Sequence, residues 1–393
     1  MTTVETSNWE SSFFESAREQ FAAYFLSFAE TTNDQTLMEA EYPNFIVAAT
    51  HFWNTSNHTN LILLRDKLHA FMDLRGHWED SITFLNWAID AASEMNDWKN
   101  VARFTHDKAD ILNQSGAFEE AESLYKKSER MYSDMNNAEM ALRSRHMRSM
   151  VVRARGNLAE AENLCESVIA DAEQLGLFQW LAHPYYVRAL IARDRGQYSQ
   201  AEHWIQQSLQ KLSETTEQIQ IAQCYHFLGE LAFLQQDYSE AASLLEISLN
   251  LSEQMGILRR IASTKRLLGD VARLQRQYEK ALVCYQEALT LVNDLGDRPQ
   301  IGRTLLSLGQ LEYARNASAP AIDYLKQAKH LYQSLGDPRG IVATCFMLSR
   351  IYIREANWLL AANELADGLV AGFRGGLTSY QILIGAIRRW SKW

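Results

Sequence analysis

The chain has 393 residues, of which 47% are hydrophobic, and a formal net charge of −10. This length allows two or three ordinary domains, and the apolar fraction is sufficient for a continuous core. The negative net charge argues against general binding to nucleic acid, although it does not exclude a local basic surface. Only five prolines and 18 glycines interrupt the chain, which favours an all-helical fold.

The first 58 residues lack the pattern that repeats along the rest of the chain. Residues 1–12 are polar, and we expect them to be disordered or frayed, without the basic and apolar regions of a signal peptide. Apolar helices are predicted over Phe13–Glu30 and over Met38–Trp53, with Pro43 in the early part of the second. We interpret residues 13–58 as N-terminal capping helices that cover the first apolar face of the repeats.

Residues 59–372 carry one pattern that recurs every 40 residues without insertion or deletion. Each copy predicts two amphipathic helices, A and B, joined by a short polar elbow. Alanine follows the elbow by five positions in seven of the eight copies, and a second column of mostly small residues lies in helix A. Such a period predicts an all-α fold, a right-handed α-solenoid of eight helix-turn-helix repeats. The elbow positions are Gly76, Gly116, Gly156, Gly196, Gln236, Arg276, Asn316 and Ala356.

Residues 373–393 follow the last repeat. Gly375-Gly376 breaks the pattern, and a final helix is predicted over Leu377–Trp393 with three cations near its end. We interpret it as a C-terminal capping helix, because cations suit the C-terminal end of a helix. The alternative is an amphipathic helix that binds a membrane or partner through Trp390 and Trp393. The sequence has no stretch of about 18 apolar residues, so no stable membrane insertion is expected.

The repeated columns resemble the tetratricopeptide repeat. The resemblance rests on a small residue late in helix A (Gly269), an aromatic residue at the elbow (Tyr198, Tyr238 and Tyr278) and the alanine after it (Ala281). The unit is longer than the common repeat of about 34 residues. It looks like the long variant with Leu-Gly-Asp between repeats, which occurs in polarity adaptors and in STAND-type signalling ATPases. The resemblance covers about residues 59–372.

A second resemblance concerns the first 90 residues. The runs AREQFAAYFLSFAE, LMEAEYPNFIVAATHFW and LRGHWEDSITFLNWAIDAA look like the segment that joins the ATPase core of STAND proteins to their repeat sensor. The chain departs from a full STAND protein because it has no G-x-x-x-x-G-K-[ST] loop to hold phosphates. We therefore expect neither ATP hydrolysis nor a cofactor.

The tetratricopeptide resemblance implies that the A helices line a concave groove. Residues three or seven positions apart share a helix face, so three columns of Arg, His and aromatic residues lie side by side. Arginine would bind carboxylates in a bidentate manner, and the aromatic residues would supply apolar walls. The alternative is that these arginines are solvated and paired with Asp107, Asp110, Asp194, Glu230 and Asp270. The residues expected to line a peptide-binding groove are Arg103, His106, Arg143, His146, Arg153, Tyr186, Arg193, His226, Phe233, Arg266, Arg273, Arg303 and Tyr313.

These features favour a non-catalytic, cytoplasmic scaffold that binds an acidic or amphipathic protein segment in the groove. The alternative is a ligand-sensing regulatory arm that controls a STAND-type ATPase or another effector. An enzyme is disfavoured because no nucleophile–base pair accompanies the Arg and His residues. No metal site is expected, since His106 and His146 lie one repeat apart and H-E-x-x-H is absent. The positions of the family's carboxylate clamp hold His106, Asp110 and Met147, so chaperone binding is not predicted.

Overall fold

A computed structural model describes residues 3–32, 34–212 and 218–374. Within these ranges the chain forms 19 α-helices and one short 3-10 helix, and no strand, which confirms the predicted all-α solenoid. From α4 onward the even-numbered helices are A helices and the odd-numbered ones are B helices. The helices are α1 (Thr3–Thr31), α2 (Gln35–Ala40), α3 (Tyr42–Asn54), α4 (His58–Arg75), α5 (Trp78–Glu94), α6 (Trp98–Ser115), α7 (Phe118–Asp134), α8 (Ala138–Ala154), α9 (Leu158–Gln174), the 3-10 helix (Phe178–Trp180), α10 (Ala182–Asp194), α11 (Tyr198–Leu212), α12 (Gln218–Leu234), α13 (Tyr238–Gln254), α14 (Leu258–Leu274), α15 (Tyr278–Leu295), α16 (Arg298–Ala314), α17 (Ser318–Ser334), α18 (Pro338–Arg354) and α19 (Trp358–Arg374).

The N-terminal helices differ in their bounds from the sequence expectation. Helix α1 already begins at Thr3, within the stretch expected to be disordered or frayed, because no Gly or Pro interrupts the helical run before Phe13. The second expected helix is divided into α2 and α3 at Glu41. Pro43 explains the division, since proline fits the first turn of α3 but not a helix interior.

A residue in the left-handed conformation ends the helices of the repeats at a spacing of 20 positions. In the eight elbows the φ angle lies between 56° at Ala356 and 93° at Gly156. The backbone N–H of the residue that follows donates a hydrogen bond to a carbonyl in the last turn of the helix. Asp97 N–H, for example, donates to Ala92 O at 2.8 Å. These bonds satisfy carbonyls that the helix itself leaves unpaired. The side-chain-bearing elbows are less favourable than glycine by about 1–2 kcal/mol each.

The two columns of small residues are sites of close helix packing. A Cβ atom added to Gly269 would lie 2.6 Å from Cε1 of Tyr285, on the B helix of the same repeat. The alanine column is fully buried from Ala121 to Ala321. A larger side chain at Gly269 would therefore overpack the A–B contact, as the sequence pattern predicts.

The chain divides into two compact units, and each has its own core. Unit 1 comprises Met1–Gln114 with Glu119–Ser144, and in its core α1 and α3 pack on α4. Unit 2 comprises Ser115–Phe118 with Arg145–Trp393. Within unit 2, Arg339 Nη2 donates to Ala154 O at 2.9 Å, and its guanidinium lies 4.9 Å from the ring centre of Phe118. Repeats far apart in sequence thus contact each other in this unit.

Helix α19 exposes several large apolar side chains at the end of the described chain. Trp358 is 64% exposed and Leu359 73%, and Phe373 is also exposed. The predicted C-terminal capping helix, Leu377–Trp393, lies outside the described residues.

Candidate binding surface

The A-face is the surface of the A helices that carries the three predicted columns. In unit 2, α12 contacts α14, α14 contacts α16, and α16 contacts α18. Equivalent positions of neighbouring repeats therefore lie beside one another, as expected for a solenoid. Polar contacts on the A-face accordingly join residues about one repeat apart in sequence.

Unit 1 has a cavity of about 340 Å³ on its A-face, named cavity 1. Arg103 binds Asp66 with two parallel hydrogen bonds of 2.9 and 2.8 Å. Arg65 is only 3% exposed, and its guanidinium lies 2.7 Å from Asp107 and 3.0 Å from Asp66. Burial alone would raise the pKa of Asp66, but the hydrogen bonds from Arg103 and Arg65 hold it below its ordinary value. The lining residues are Arg65, Asp66, His69, Arg103, His106, Asp107, Tyr132, Met140 and Arg143.

His106 is a buried histidine at the wall of cavity 1. Its Nδ1 lies 3.0 Å from Ser144 Oγ, and its Nε2 lies 3.8 Å from Asp110 Oδ2. Burial, together with the charge of Arg143, lowers the pKa of His106 to about 4, so its imidazole is neutral at pH 7. Burial also raises the pKa of Asp110 to about 6, although the hydroxyl of Tyr125 donates a hydrogen bond to this carboxyl. His106 therefore supplies no positive charge for a ligand near neutral pH.

In unit 2 a series of ion pairs follows the predicted column that contains Arg153, Arg193 and Arg273. Arg153 lies 2.5 Å from Asp194 of the next repeat, and Arg193 lies 3.0 Å from Glu230 of the repeat after that. Arg193 also contacts Asp194, at 3.0 Å. These carboxylates offset the positive charge of the column, so the A-face is much less basic than its number of arginines indicates.

Asp270 is the carboxylate of a second group of ion pairs on the A-face. Arg266 lies 3.0 Å from this carboxylate and Arg273 lies 3.6 Å from it. The buried hydroxyl of Tyr285 donates to the same carboxylate at 2.7 Å. Of the five acidic residues that the sequence suggested as arginine partners, Asp107, Asp194, Glu230 and Asp270 pair with arginine, whereas Asp110 accepts a hydrogen bond from Tyr125 and lies near His106.

Unit 2 has a cavity of about 270 Å³ on its A-face, named cavity 2. Among the described residues that line it there is no Asp, Glu, Lys or Arg, in contrast to cavity 1. Tyr186 is held by a hydrogen bond to Gln223 and packs 5.6 Å from the ring of Phe227. Burial raises the pKa of Tyr186 above its ordinary value, so it is a neutral hydroxyl. The lining residues are His146, Met147, Met150, Ala182, His183, Tyr186, Ser208, Leu212, Ile219, Gln220, Gln223 and Cys224.

The predicted groove residues are thus distributed over several environments. Cavity 1 brings together Arg103, His106 and Arg143, and cavity 2 brings together His146 and Tyr186. His226 bonds to Thr264 Oγ1 at 3.0 Å, and burial lowers its pKa to about 3. Arg303 is exposed. Neither cavity is lined by Arg153, Arg193, His226, Phe233, Arg266, Arg273, Arg303 or Tyr313.

Sequence reasoning missed several residues of these cavities. Arg65 and Asp66 belong to the first repeat, where the predicted columns were not extended. Gln220 lines cavity 2 and lies one helical turn before Gln223, and Arg260 is at the equivalent position of the next repeat, one turn before Ser263. The signal that could have identified them is the same helix face read three residues earlier.

Two other kinds of site were sought in the described part of the chain. Among those residues, no cluster of three or more His, Cys, Asp or Glu side chains could hold a metal ion. None of the described helices is long and apolar enough to cross a membrane.

Two segments of the chain match models of a known family. Residues 260–334 and residues 141–175 each match the tetratricopeptide repeat. These two segments are tetratricopeptide repeats. No curated protein matches the chain by sequence.

Several solved structures share the fold. The Rap conjugation gene regulator of the plasmid pLS20, in complex with the Phr* peptide, has a TM-score of 0.61 at 13% identity, over 85% of this chain and 95% of that one. Aspartyl phosphate phosphatase F from Bacillus subtilis has a TM-score of 0.53 at 12% identity, over 93% and 96%. A STAND protein with a tetratricopeptide repeat sensor from Pyrococcus horikoshii has a TM-score of 0.51 at 13% identity, over 88% and 53%. The chain thus spans about half of that STAND protein, and its resemblance to the sensor arm concerns the fold.

Proposed function

We propose that this protein is a regulatory scaffold that binds a peptide or protein segment on the A-face of unit 2. The observation that carries the proposal is cavity 2, whose described lining combines apolar side chains with hydrogen-bonding groups and contains no Asp, Glu, Lys or Arg. Such a lining suits a protein segment, since apolar walls give affinity and a few polar groups fix orientation. The fold shared with a Rap regulator in complex with a peptide supports the same function.

The chemistry of the segment follows from the charges of the A-face. Because Arg153, Arg193, Arg266 and Arg273 are paired with carboxylates, a highly acidic segment would have to displace those partners. An amphipathic segment with few carboxylates avoids this cost, and we propose that it is the ligand of unit 2. Binding, and no chemical conversion, is the activity that we assign to the site.

A matched pair of substitutions tests the location of the site. Ile219 is 53% exposed and lines cavity 2, whereas Ile247 is 41% exposed on the B helix α13. Peptides are first selected on the full chain from a random library displayed with free C-termini. We expect Ile219→Glu to weaken binding of the selected peptides by about tenfold or more, since the charge would be desolvated by the ligand. Ile247→Glu should bind them as the wild type does.

Charge reversal at the paired arginines would test the location of the peptide site less clearly. A glutamate at position 193, for example, would face both Asp194 and Glu230 and would destabilise the fold itself. The exposed isoleucines avoid this ambiguity. The proposal is abandoned if no peptide is selected, or if Ile247→Glu weakens binding as much as Ile219→Glu does.

A second candidate function is a sensor arm that controls an effector protein. It is favoured by the shared fold with the STAND protein that carries a tetratricopeptide repeat sensor. A pull-down from the native cell distinguishes it from a simple scaffold. Ligand-dependent capture of a separate ATPase or other effector would support the sensor arm, whereas capture of the peptide-bearing partner alone would support the scaffold.

A further inference from the structure

One arginine of unit 2 differs from the paired arginines of the A-face. Arg260, in the first turn of α14, is half-buried and makes no side-chain hydrogen bond or ion pair within the described part of the chain. The charged or titratable groups that act on it are the Tyr186 hydroxyl and the Cys224 thiol, and neither is a carboxylate. Burial lowers the pKa of Arg260 below its ordinary value, which is the effect of desolvating a cation without a compensating anion.

The comparison with other arginines shows that this environment is unusual. Arg65, Arg103, Arg153, Arg193 and Arg273 each lie within ion-pair distance of a carboxylate. Arg143 and Arg303 are exposed, so water can solvate their guanidinium groups. Arg260 is only partly solvated and has no carboxylate partner among the described residues, so its donors are available to an anion from outside the chain.

Arg260 lies beside cavity 2. It follows the lining residue Gln223 by 37 positions, the offset at which Arg193 contacts Glu230 on the next A helix. Its charge acts on Tyr186, Cys224 and His226, of which the first two line the cavity. Gln220 also lines it and makes no side-chain hydrogen bond within the described residues, so its amide can donate to a ligand. The apolar part of the lining is formed by Met147, Met150, Ala182, Leu212 and Ile219.

The volume of cavity 2 limits what it can hold. At about 270 Å³ it is smaller than the roughly 300–1,000 Å³ of pockets that enclose a drug-sized ligand. It therefore suits one residue of a longer chain. A cation beside an apolar cavity of this size matches a carboxylate that is attached close to an apolar side chain.

We propose that Arg260 and cavity 2 form a site for an apolar residue that carries a free carboxylate, such as the C-terminal residue of a peptide. The guanidinium of Arg260 binds the carboxylate, Gln220 adds a hydrogen bond, and the side chain enters the apolar part of cavity 2. This assignment rests on the proposed function of unit 2 and names the group that the surface recognises.

The test uses N-acetyl-L-leucine and N-acetyl-L-leucinamide as probes of the full chain. The two differ in the carboxylate alone, and their affinities can be measured by isothermal titration calorimetry or ligand-observed NMR. We expect the acid to bind at least about tenfold more tightly than the amide, because a charge-assisted bidentate contact is lost in the amide. Arg260→Gln should reduce the affinity for the acid to that for the amide, and Arg260→Lys should retain part of it.

Arg303→Gln serves as the matched control, because Arg303 is also on the A-face and has no ion pair within the described residues but is exposed. It should bind the acid as the wild type does. Equal affinity of the wild type for acid and amide, unchanged binding of the acid by Arg260→Gln, or no binding of the acid at its solubility limit would each overturn the assignment.

Failure of this site and failure of the proposed function are distinguishable. If library peptides bind and Ile219→Glu abolishes their binding, but N-acetyl-L-leucine shows no dependence on Arg260, the peptide site stands and the carboxylate site is rejected. If N-acetyl-L-leucine binds through Arg260 but no peptide is selected, the carboxylate site stands and the peptide function is rejected.

Discussion

Cavity 1 and cavity 2 lie on the A-faces of different units and differ in how their charges are compensated. In cavity 1, Arg65 and Arg103 are bound to Asp66 and Asp107, and all four residues line the cavity. Among the described residues that line cavity 2 there is no Asp, Glu, Lys or Arg, and Arg260 beside it has no carboxylate partner within the described residues. Arg65 and Arg103 are thus held by carboxylates of the chain, whereas we propose that Arg260 is available to a ligand.

The difference shows that the number of arginines on a repeat surface does not determine its charge. A guanidinium with a bound carboxylate adds little to the field that a ligand meets, whereas a desolvated, unpaired one adds much. The second repeat carries Arg103 and the sixth carries Arg260, yet only the latter retains its donors for a partner.

The largest expected effect is the loss of Arg65 in unit 1. Because Arg65 is buried and pairs with Asp66 and Asp107, Arg65→Ala removes the arginine partner of Asp107 and leaves Asp66 with Arg103 alone. We expect the free energy of unfolding of unit 1 to fall by about 3 kcal/mol. Urea denaturation followed through tryptophan fluorescence measures the change. A loss below about 0.5 kcal/mol, the usual size for a surface substitution, would mean that the network of cavity 1 is not structural.

An intermediate effect on stability is expected on lowering the pH, and its sign differs between His226 of unit 2 and Asp110 of unit 1. His226 has a folded pKa of about 3, so below pH 6.5 the unfolded chain binds the proton and the folded chain does not. The stability that neutral His226 contributes is complete above pH 6.5 and is lost as the pH falls, by about 2 kcal/mol at pH 5. We expect His226→Asn, which can keep the bond to Thr264, to flatten the loss of stability between pH 7 and 5.

Asp110 beside cavity 1 acts in the opposite direction. Its folded pKa of about 6 means that between pH 6 and pH 4 the folded chain binds more protons than the unfolded chain. Protonation of Asp110 therefore stabilises the fold on acidification and opposes the effect of His106, whose folded pKa is about 4. Asp110→Asn should make the loss of stability between pH 6 and 4 steeper than in the wild type. Parallel curves for Asp110→Asn, His226→Asn and the wild type would contradict both assignments.

The smallest expected effect on stability is that of Arg260→Gln. Removal of a half-buried cation without a carboxylate partner should change the free energy of unfolding by less than about 0.5 kcal/mol, or raise it slightly. Thermal unfolding of Arg260→Gln next to Arg65→Ala measures the contrast. A loss for Arg260→Gln as large as that for Arg65→Ala would show that Arg260 is structural, and would remove the difference between the two cavities.

Much of the fold could be predicted from the sequence because the period constrains it at every repeat. The elbow column predicted where each A helix ends, and the structure shows left-handed residues there even where Gln236, Arg276 and Asn316 replace glycine. The column through Gly269 predicted a close contact, which is found against Tyr285. The division of the second N-terminal helix at Glu41 was not predicted, because Pro43 is compatible with either arrangement.

The candidate site was predicted less well. The position of a residue on a helix face specifies the side to which its side chain points, but not which side chains it contacts. The sequence places Arg153 and Arg193 on one face, but the pairing with Asp194 and Glu230 depends on the offset between neighbouring repeats. The neutral state of His106 depends on burial, which the column alone does not specify. The unpaired state of Arg260 likewise depends on which side chains its neighbours contribute, Tyr186 and Cys224 and no carboxylate.

Hydrogen–deuterium exchange of the full chain, with and without a peptide selected from the library, tests the central claim most directly. We expect the peptide to slow exchange in the A helices α8, α10, α12 and α14 around cavity 2 and at the C-terminal end of α11, where Ser208 and Leu212 line the cavity, and to leave the B helices α13 and α15 unchanged. Protection confined to the B helices, or to unit 1, would contradict a peptide site on the A-face of unit 2.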